Sequence, residues 1–424
     1  MMDYLEPNVV IVDDVLLEYE GIYDYYSSKG IGCKVFNPDL YEGDEFPTTP
    51  FSDVNIIYLD LHYSNIFNSE RCVSWVRHIV KPKSFYILIM WTKDESKAEE
   101  VSVLLKTNNV LPFLTIIKNK SEYQNISNFD FTLLFEQINN ELNSTPALQE
   151  ILIWKKTVKY SFNEIIGNLT KNPANIVDKL KKIIISHGGI SIKDSEDNIN
   201  KRNILFDALD TVLISNTRKN TNTDISQLNS ETLYNLEATE NAETDNELNS
   251  WFHFKMTNNI SEDLVSPGLI SKNNHKLFKK LYSIQDDPKI EMLLVNQKRE
   301  GVQFEDIVVL ISRPCDLAQK KYGKNLKLLS GIIVYKAKRN ANGKFNYNGK
   351  PMDSIKTYDH LYWDSENDDV TVILDLRYSF SVPKDIFIDQ TKFENLKIIN
   401  KDLLSEIQVE YSSYCSRLGI TQII

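Results

Sequence analysis

Three aspartates, a threonine and a lysine carry the readable chemistry of this chain: Asp13, Asp14, Asp60, Thr92 and Lys118. They stand at the ends of four short apolar runs, VVIVDD from Val9, NIIYLD from Asn55, FYILIMWT from Phe85 and FLTIIK from Phe113. Runs of this length and β-branched content read as buried strands. In an open parallel sheet the carboxyl ends of the strands line one edge, and ligands bind there. Asp14 to Asp60 is 46 residues, Asp60 to Thr92 is 32, and Thr92 to Lys118 is 26, spacings that suit successive strand–helix units. Oxygens of Asp13, Asp14 and Asp60 suit a hard cation such as Mg²⁺. A carboxylate beside that cation can act as nucleophile towards a phosphoryl group. Lys118 would supply a point charge for that group, and Thr92 a hydroxyl. A lone Asp at a strand end is commonly a turn residue or a cap, but several matched positions in order are harder to reach by accident.

The elements that must hold these residues alternate between residues 9 and 143. Strands over Val9–Asp14, Cys33–Phe36, Ile56–Asp60, Phe85–Thr92 and Phe113–Lys118 are separated by helical patterns over Val15–Lys29, Glu70–Val80 and Glu95–Lys106. A further helix follows over Asp130–Leu142, and the proline-rich 37–54 stretch reads as a loop. Gly30 stands where a helix C-cap is wanted. Strict alternation predicts a doubly wound, five-stranded parallel sheet.

This pattern resembles the receiver domain of two-component response regulators over about residues 7–143. In that family an acidic pair ends the first strand and the phospho-accepting Asp ends the third. A Thr or Ser ends the fourth strand and a Lys the fifth. The matching residues here are Asp13/Asp14, Asp60, Thr92 and Lys118. The resemblance implies a receiver/flavodoxin-like fold, with Asp60 as phosphoacceptor and Thr92 and Lys118 as phosphate contacts. It implies Mg²⁺ held by Asp13, Asp14, Asp60 and the main-chain carbonyl of His62, and a histidine kinase or phosphotransfer protein as donor. The chain departs from the family at four places. Asp60 is followed by Leu61-His62-Tyr63-Ser64-Asn65 where Met-Pro and later a Gly are usual. Lys93 follows Thr92 where a small residue is usual, Asn119 follows Lys118 where proline is usual, and Thr115 replaces the switch aromatic. The alternative expectation is therefore a pseudo-receiver scaffold that uses the fold only to contact other protein subunits.

A chain of 424 residues exceeds one small core, which predicts several domains. Its formal net charge of −11 disfavours an electrostatic grip on nucleic acid or anionic membrane. No run reaches the ~18 apolar residues of a membrane helix, the N-terminus lacks the order of a signal peptide, and the four cysteines have no pairing spacing. These features predict a reduced, cytoplasmic protein.

Beyond the receiver-like segment (1–145), residues 146–262 read as a helical domain with a polar loop at about 217–249. Helical patterns cover Leu148–Asn168, Ala174–Ser186 and Asn203–Ser215, and Leu248–Met256 reads as a buried amphipathic element. Residues 263–424 read as a β-rich C-terminal domain, with strands over Glu291–Val295, Asp306–Ser312, Gly331–Lys336 and Val370–Leu376. Turns are marked at Asn340–Gly343 and Asn348-Gly349, and a helix is expected over Asp402–Arg417. The Ser-x-x-Cys-Asp segment around Cys315 and Asp316 is similar to one in uncharacterised prokaryotic proteins. Receivers fused to large unclassified regions resemble proteins of bacterial anti-phage operons. Cys315 is either a thiolate favoured by Arg313, Lys320 and Lys321, making the C-terminal domain an enzyme, or a small buried residue with Asp316 capping the next turn. Zinc is not expected, because no close Cys/His pairs occur.

Overall fold

The computed structural model describes residues 6–125, 128–171, 173–189, 192–193, 196, 198–220, 246–255, 260–313, 317, 325–363 and 369–416. The chain divides into two compact units, one over Met1–Lys156 and one built from Thr157–Thr223 with Leu236–Ile424.

In the first unit, β1 (Val9–Val12), β2 (Cys33–Phe36), β3 (Ile56–Leu59), β6 (Ile87–Thr92) and β7 (Leu114–Asn119) form one sheet in the order β2-β1-β3-β6-β7. Every pairing is parallel. Strand alternation sends side chains to two opposite layers. Val10, Val12, Ile57, Leu59, Leu88 and Met90 pack against α2 (Ser69–Ile79) and α3 (Ala98–Thr107). Ile11, Tyr58, Ile89, Trp91 and Ile116 pack against α1 (Leu16–Ser28) and α5 (Phe131–Asn143). Helices on both faces explain why the strands read as continuous apolar runs.

The helix ends follow local chemistry. Asn68 caps α2 by accepting from Arg71 N, and Asp130 caps α5 by accepting from Leu133 N, as short polar side chains do at helix starts. Gly30 closes α1 at φ +70°, a conformation open to a residue without Cβ. Residues 37–54 form no helix. After β3 a two-residue ladder pairs β4 (His62–Tyr63) with β5 (Ile66–Phe67) through a turn in which Ser64 and Asn65 both take positive φ. A single turn, α4 (Lys120–Tyr123), follows β7 directly.

The second unit holds α7 (Ile176–Gly188), α8 (Asn198–Asn220), α9 (Asn246–His253) and an antiparallel sheet. The boundary between the units falls within α6 (Pro146–Thr170). The sheet comprises β8 (Leu269–Asn273), β9 (Gln303–Leu310), β10 (Asn325–Tyr335), β11 (Ile355–Leu361), β12 (Val370–Pro383) and β13 (Phe393–Ile398), in the order β11-β12-β10-β9-β8-β13. One face packs on Phe254 and on α14 (Lys401–Cys415) through Leu403, Leu404 and Ile407. The other packs on α10 (Lys276–Tyr282) and α11 (Pro288–Leu293). A register shift in β10 falls at Gly331, where a Cβ would stand 2.7 Å from the Ile373 carbonyl oxygen.

Two expectations change here. Glu291–Val295 is helical, split between α11 and α12 (Val295–Arg299). Asp287 accepts from Lys289 N and Ile290 N, and Pro288 occupies the first turn, so the start signal outweighs a short apolar run. Of Leu248–Met256, the residues up to His253 are helical, and they leave Trp251 and Phe252 exposed. The segment is held instead by Ser250, which exchanges hydrogen bonds with the backbone of Tyr362, and by buried Phe254. The polar stretch 217–249 lies mostly outside the described residues.

Candidate functional site

Parallel register and period-two alternation decide which side chains meet. Val12 pairs with Leu59, Leu59 with Met90, and Trp91 with Lys118. One residue beyond β1 and β3, Asp13 and Asp60 therefore share a row with Trp91 and Lys118 on the face covered by α1 and α5. Trp91 occupies the strand between Asp60 and Lys118 and is 1% exposed. Lys118 turns away, and its ammonium meets Gln137 at 3.2 Å and Glu141 at 2.5 Å on α5.

The amine that reaches the carboxylates belongs to Lys120, the first residue of α4. Its Nζ lies 2.8 Å from Asp13 Oδ2, 2.8 Å from Asp60 Oδ2 and 2.5 Å from Glu18 Oε2. Lys120 and Asp13 are each 1% exposed. Glu18 comes from the first turn of α1 and was not among the strand-end residues. Its only sequence signal is an acidic residue five positions after Asp13 on a helix whose inner face carries Ile22 and Tyr26. The second oxygen of Glu18 takes Lys93 Nζ at 2.5 Å.

The remaining oxygens are also engaged. Asp13 Oδ1 accepts from Val15 N at 2.9 Å. Asp60 Oδ1 accepts from Leu61 N at 2.7 Å and from His62 N at 3.3 Å. Asp14 faces the other way along the edge, where its Oδ2 accepts from Ser64 N at 2.6 Å and fixes the turn between β4 and β5. Thr92 falls on the α2/α3 face with Leu88 and Met90. It is fully buried, and its hydroxyl accepts from Asp94 N at 3.2 Å. A small cleft of about 70 Å³ opens beside the cluster, lined by Asp14, Val15, Glu18, Asp60, His62, Ser64, Asn65 and Lys93.

Three carboxylates around one buried ammonium leave an excess of negative charge in a low-dielectric place. Burial pushes Asp13 up to about 7, with Asp60 adding to the rise and Lys120 opposing it. Burial likewise raises Asp60 against the pull of Lys120. Burial would also raise Glu18, but Lys120 and Lys93 outweigh it and hold that carboxyl below its usual range. Burial disfavours a charged Lys120, yet Asp13 and Asp60 reverse that and raise its pKa. Desolvation and opposite charge compete at every member.

No protein-family model matches the chain, and no curated protein matches it in sequence. What the site can do therefore rests on its own donor set. Single oxygens of Asp13, Glu18 and Asp60 all lie within 4.8 Å of one another. A set of hard carboxylate oxygens at that separation fits a metal ion that prefers oxygen. Lys120 meets the same three side chains, so an ion and this ammonium would share them.

Cys315 and Asp316 lie outside the described residues. Nearby Ser312 is buried and accepts from Lys327 N at 2.9 Å. Among the described residues no helix is long and apolar enough to cross a membrane.

Proposed function

We propose that the first unit is a receiver-type domain in which Asp60 accepts a phosphoryl group from a phosphohistidine on a histidine kinase or phosphotransfer protein. The observation that carries this reading is the placement of Asp60. It ends the central strand of the parallel sheet, lines the cleft, and has one carboxylate oxygen 2.8 Å from a buried lysine. The strand order, with its reversal between β1 and β3, is that of flavodoxin-like folds, whose ligands sit at the carboxyl edge beside that reversal. In the transfer, a carboxylate oxygen of Asp60 forms the new O–P bond, the donor's P–N bond breaks, and the imidazole leaves with the electron pair. Lys120 is already charged and steadies the oxygens without moving a proton. Mg²⁺, held by Asp13 and Asp60 with Asp14 at the same cleft, would supply neutralisation of the phosphoryl charge.

Beryllofluoride with Mg²⁺ tests this reading, because it mimics the acyl phosphate. Trp91 is a built-in reporter, since its indole N–H donates to the Glu18 carbonyl at 2.8 Å. The expected result is a saturable change in emission that is lost in Asp60→Asn and in Trp91→Phe. Full binding by Asp60→Asn would sink the assignment.

One observation favours a second reading. Every carboxylate oxygen of Asp13, Glu18 and Asp60 already accepts from a protein donor. Such a sealed ion cluster suits a pseudo-receiver that only supports protein contacts. A wild-type chain that ignores beryllofluoride and Mg²⁺ would select it.

A further inference from the structure

Glu18 takes two cations, Lys93, which lines the cleft, and the buried Lys120. Its Oε2 engages Lys120 and its Oε1 engages Lys93, each at 2.5 Å. These are the charges an anion attached to Asp60 would need. Lys120 touches Asp60 Oδ2, and Lys93 lines the same cleft as Asp60. A phosphoryl group on Asp60 would set roughly four negative charges, two of them its own, against those two positive ones if Glu18 stayed in place. With Glu18 withdrawn, the same lysines would face the phosphoryl oxygens.

We propose that Glu18 is an intramolecular occupant of the phosphoryl subsite, a carboxylate that holds Lys93 and Lys120 in the unmodified protein and is displaced when Asp60 is phosphorylated. The inference rests on the phosphoacceptor reading of Asp60. Three further features support it. The first turn of α1 has no side-chain cap at Val15, and Leu16 and Leu17 are exposed, so its contacts are concentrated at Glu18 itself. Lys93 is 54% exposed and can follow an anion outward. The Glu18 main chain holds the Trp91 indole, so displacement of Glu18 pulls directly on a buried side chain of the central sheet. In this arrangement a carboxylate from α1 occupies the phosphate-contacting position that the Thr92 hydroxyl, on the opposite face, does not.

The test compares the full-length wild type with Glu18→Gln and Glu18→Asp, using beryllofluoride with Mg²⁺ and, separately, inorganic phosphate followed by ³¹P line width. Glu18→Gln should bind beryllofluoride about tenfold or more tightly than wild type, the scale of removing one partly buried like charge. Glu18→Asp, one methylene shorter, should fall between. The ligand-free Glu18→Gln protein should show Trp91 emission shifted towards that of the ligated wild type. Near-UV circular dichroism checks folding, and if the glutamine variant is misfolded the aspartate variant carries the comparison. Equal or weaker beryllofluoride binding in the variants overturns the inference and leaves Asp60 as acceptor. If beryllofluoride binds none of the proteins but Glu18→Gln alone takes up phosphate, the anion subsite stands and the acceptor reading falls. If neither ligand binds any of them, both fall.

Discussion

In the C-terminal sheet buried charges are paired off, whereas in the N-terminal sheet they are pooled. Asp375 is fully buried, and Arg377 grips it through Nε at 3.1 Å and Nη2 at 2.7 Å before reaching Asp287 at 3.1 Å. Asp306 takes Ser283, Gln285 and Lys279. Asp306 has a cation and donors of its own, and Asp375 shares Arg377 only with the partly buried Asp287. At the edge of the parallel sheet, three acids from β1, α1 and β3 converge on the one buried ammonium of Lys120. Pairing is what structural burial of charge requires. Convergence of like charges costs stability and perturbs proton affinities, as functional sites do. The contrast is what the proposed phosphoacceptor site in the first unit would produce.

Removing the shared cation is the strongest way to break that contrast. Lys120→Met leaves Asp13 and Asp60 without an ammonium and Glu18 with Lys93 alone, and should cost about 3–5 kcal/mol, read as a drop in the unfolding transition of the first unit in urea. A loss below about 1 kcal/mol would mean that the acids are not pooled on Lys120.

Proton linkage gives the next effect. Asp13 is raised from 3.8 to about 7, so between those values the folded chain holds a proton that the unfolded chain has lost. Its contribution therefore falls as pH rises through that window. Glu18, being lowered, contributes in the opposite sense, with stability present above its ordinary value and lost as pH falls through its folded one. In chelator, stability should decline on the order of 1–3 kcal/mol between about pH 5 and about pH 7.5. Asp13→Asn should flatten the decline. A wild-type midpoint that rises with pH over this range would contradict the pooled-charge account.

The paired region supplies a smaller effect. Arg377→Met should destabilise the second unit by about 2 kcal/mol, less than a fully buried pair because the arginine keeps some solvent. The beryllofluoride response of the first unit should be unchanged. The smallest effect belongs to Lys118→Met. Its partner Glu141 is half-exposed, so the loss should stay within about 1 kcal/mol and leave ligand binding intact. A collapse of beryllofluoride binding in Lys118→Met would reverse the roles of the two lysines.

Much of the first unit was legible before any coordinates. The four apolar runs are strands, and the alternation of elements gave a parallel sheet with helices on both faces. Gly30 ends α1 at positive φ, and Gly343 and Gly349 take the turn conformations their sequence context requires. Helices α6 and α8 extend the periodic patterns at both ends, whereas α7 starts and stops two residues later than its pattern. The helix over Pro288–Leu293 was misread because a five-residue apolar run carries no clear period, and the capping Asp287 with Pro288 was the better signal.

The sequence alone determined that Asp13 and Asp60 share an edge, because each follows a buried strand and parallel strands end together. The same reading put Thr92 in that site, and only the register between strands, which the structure fixes, sets it on the opposite face. It pointed to Lys118, at the end of the last apolar run, and passed over Lys120 two residues further on. Tertiary structure chose between the two. Trp91 fills the row between Asp60 and Lys118, so only a lysine about two residues, or ~7 Å, further along the edge reaches past it. Glu18 was likewise decided by packing, since a helix residue joins a strand-end cluster only once the apolar face of α1 has set its rotation on the sheet.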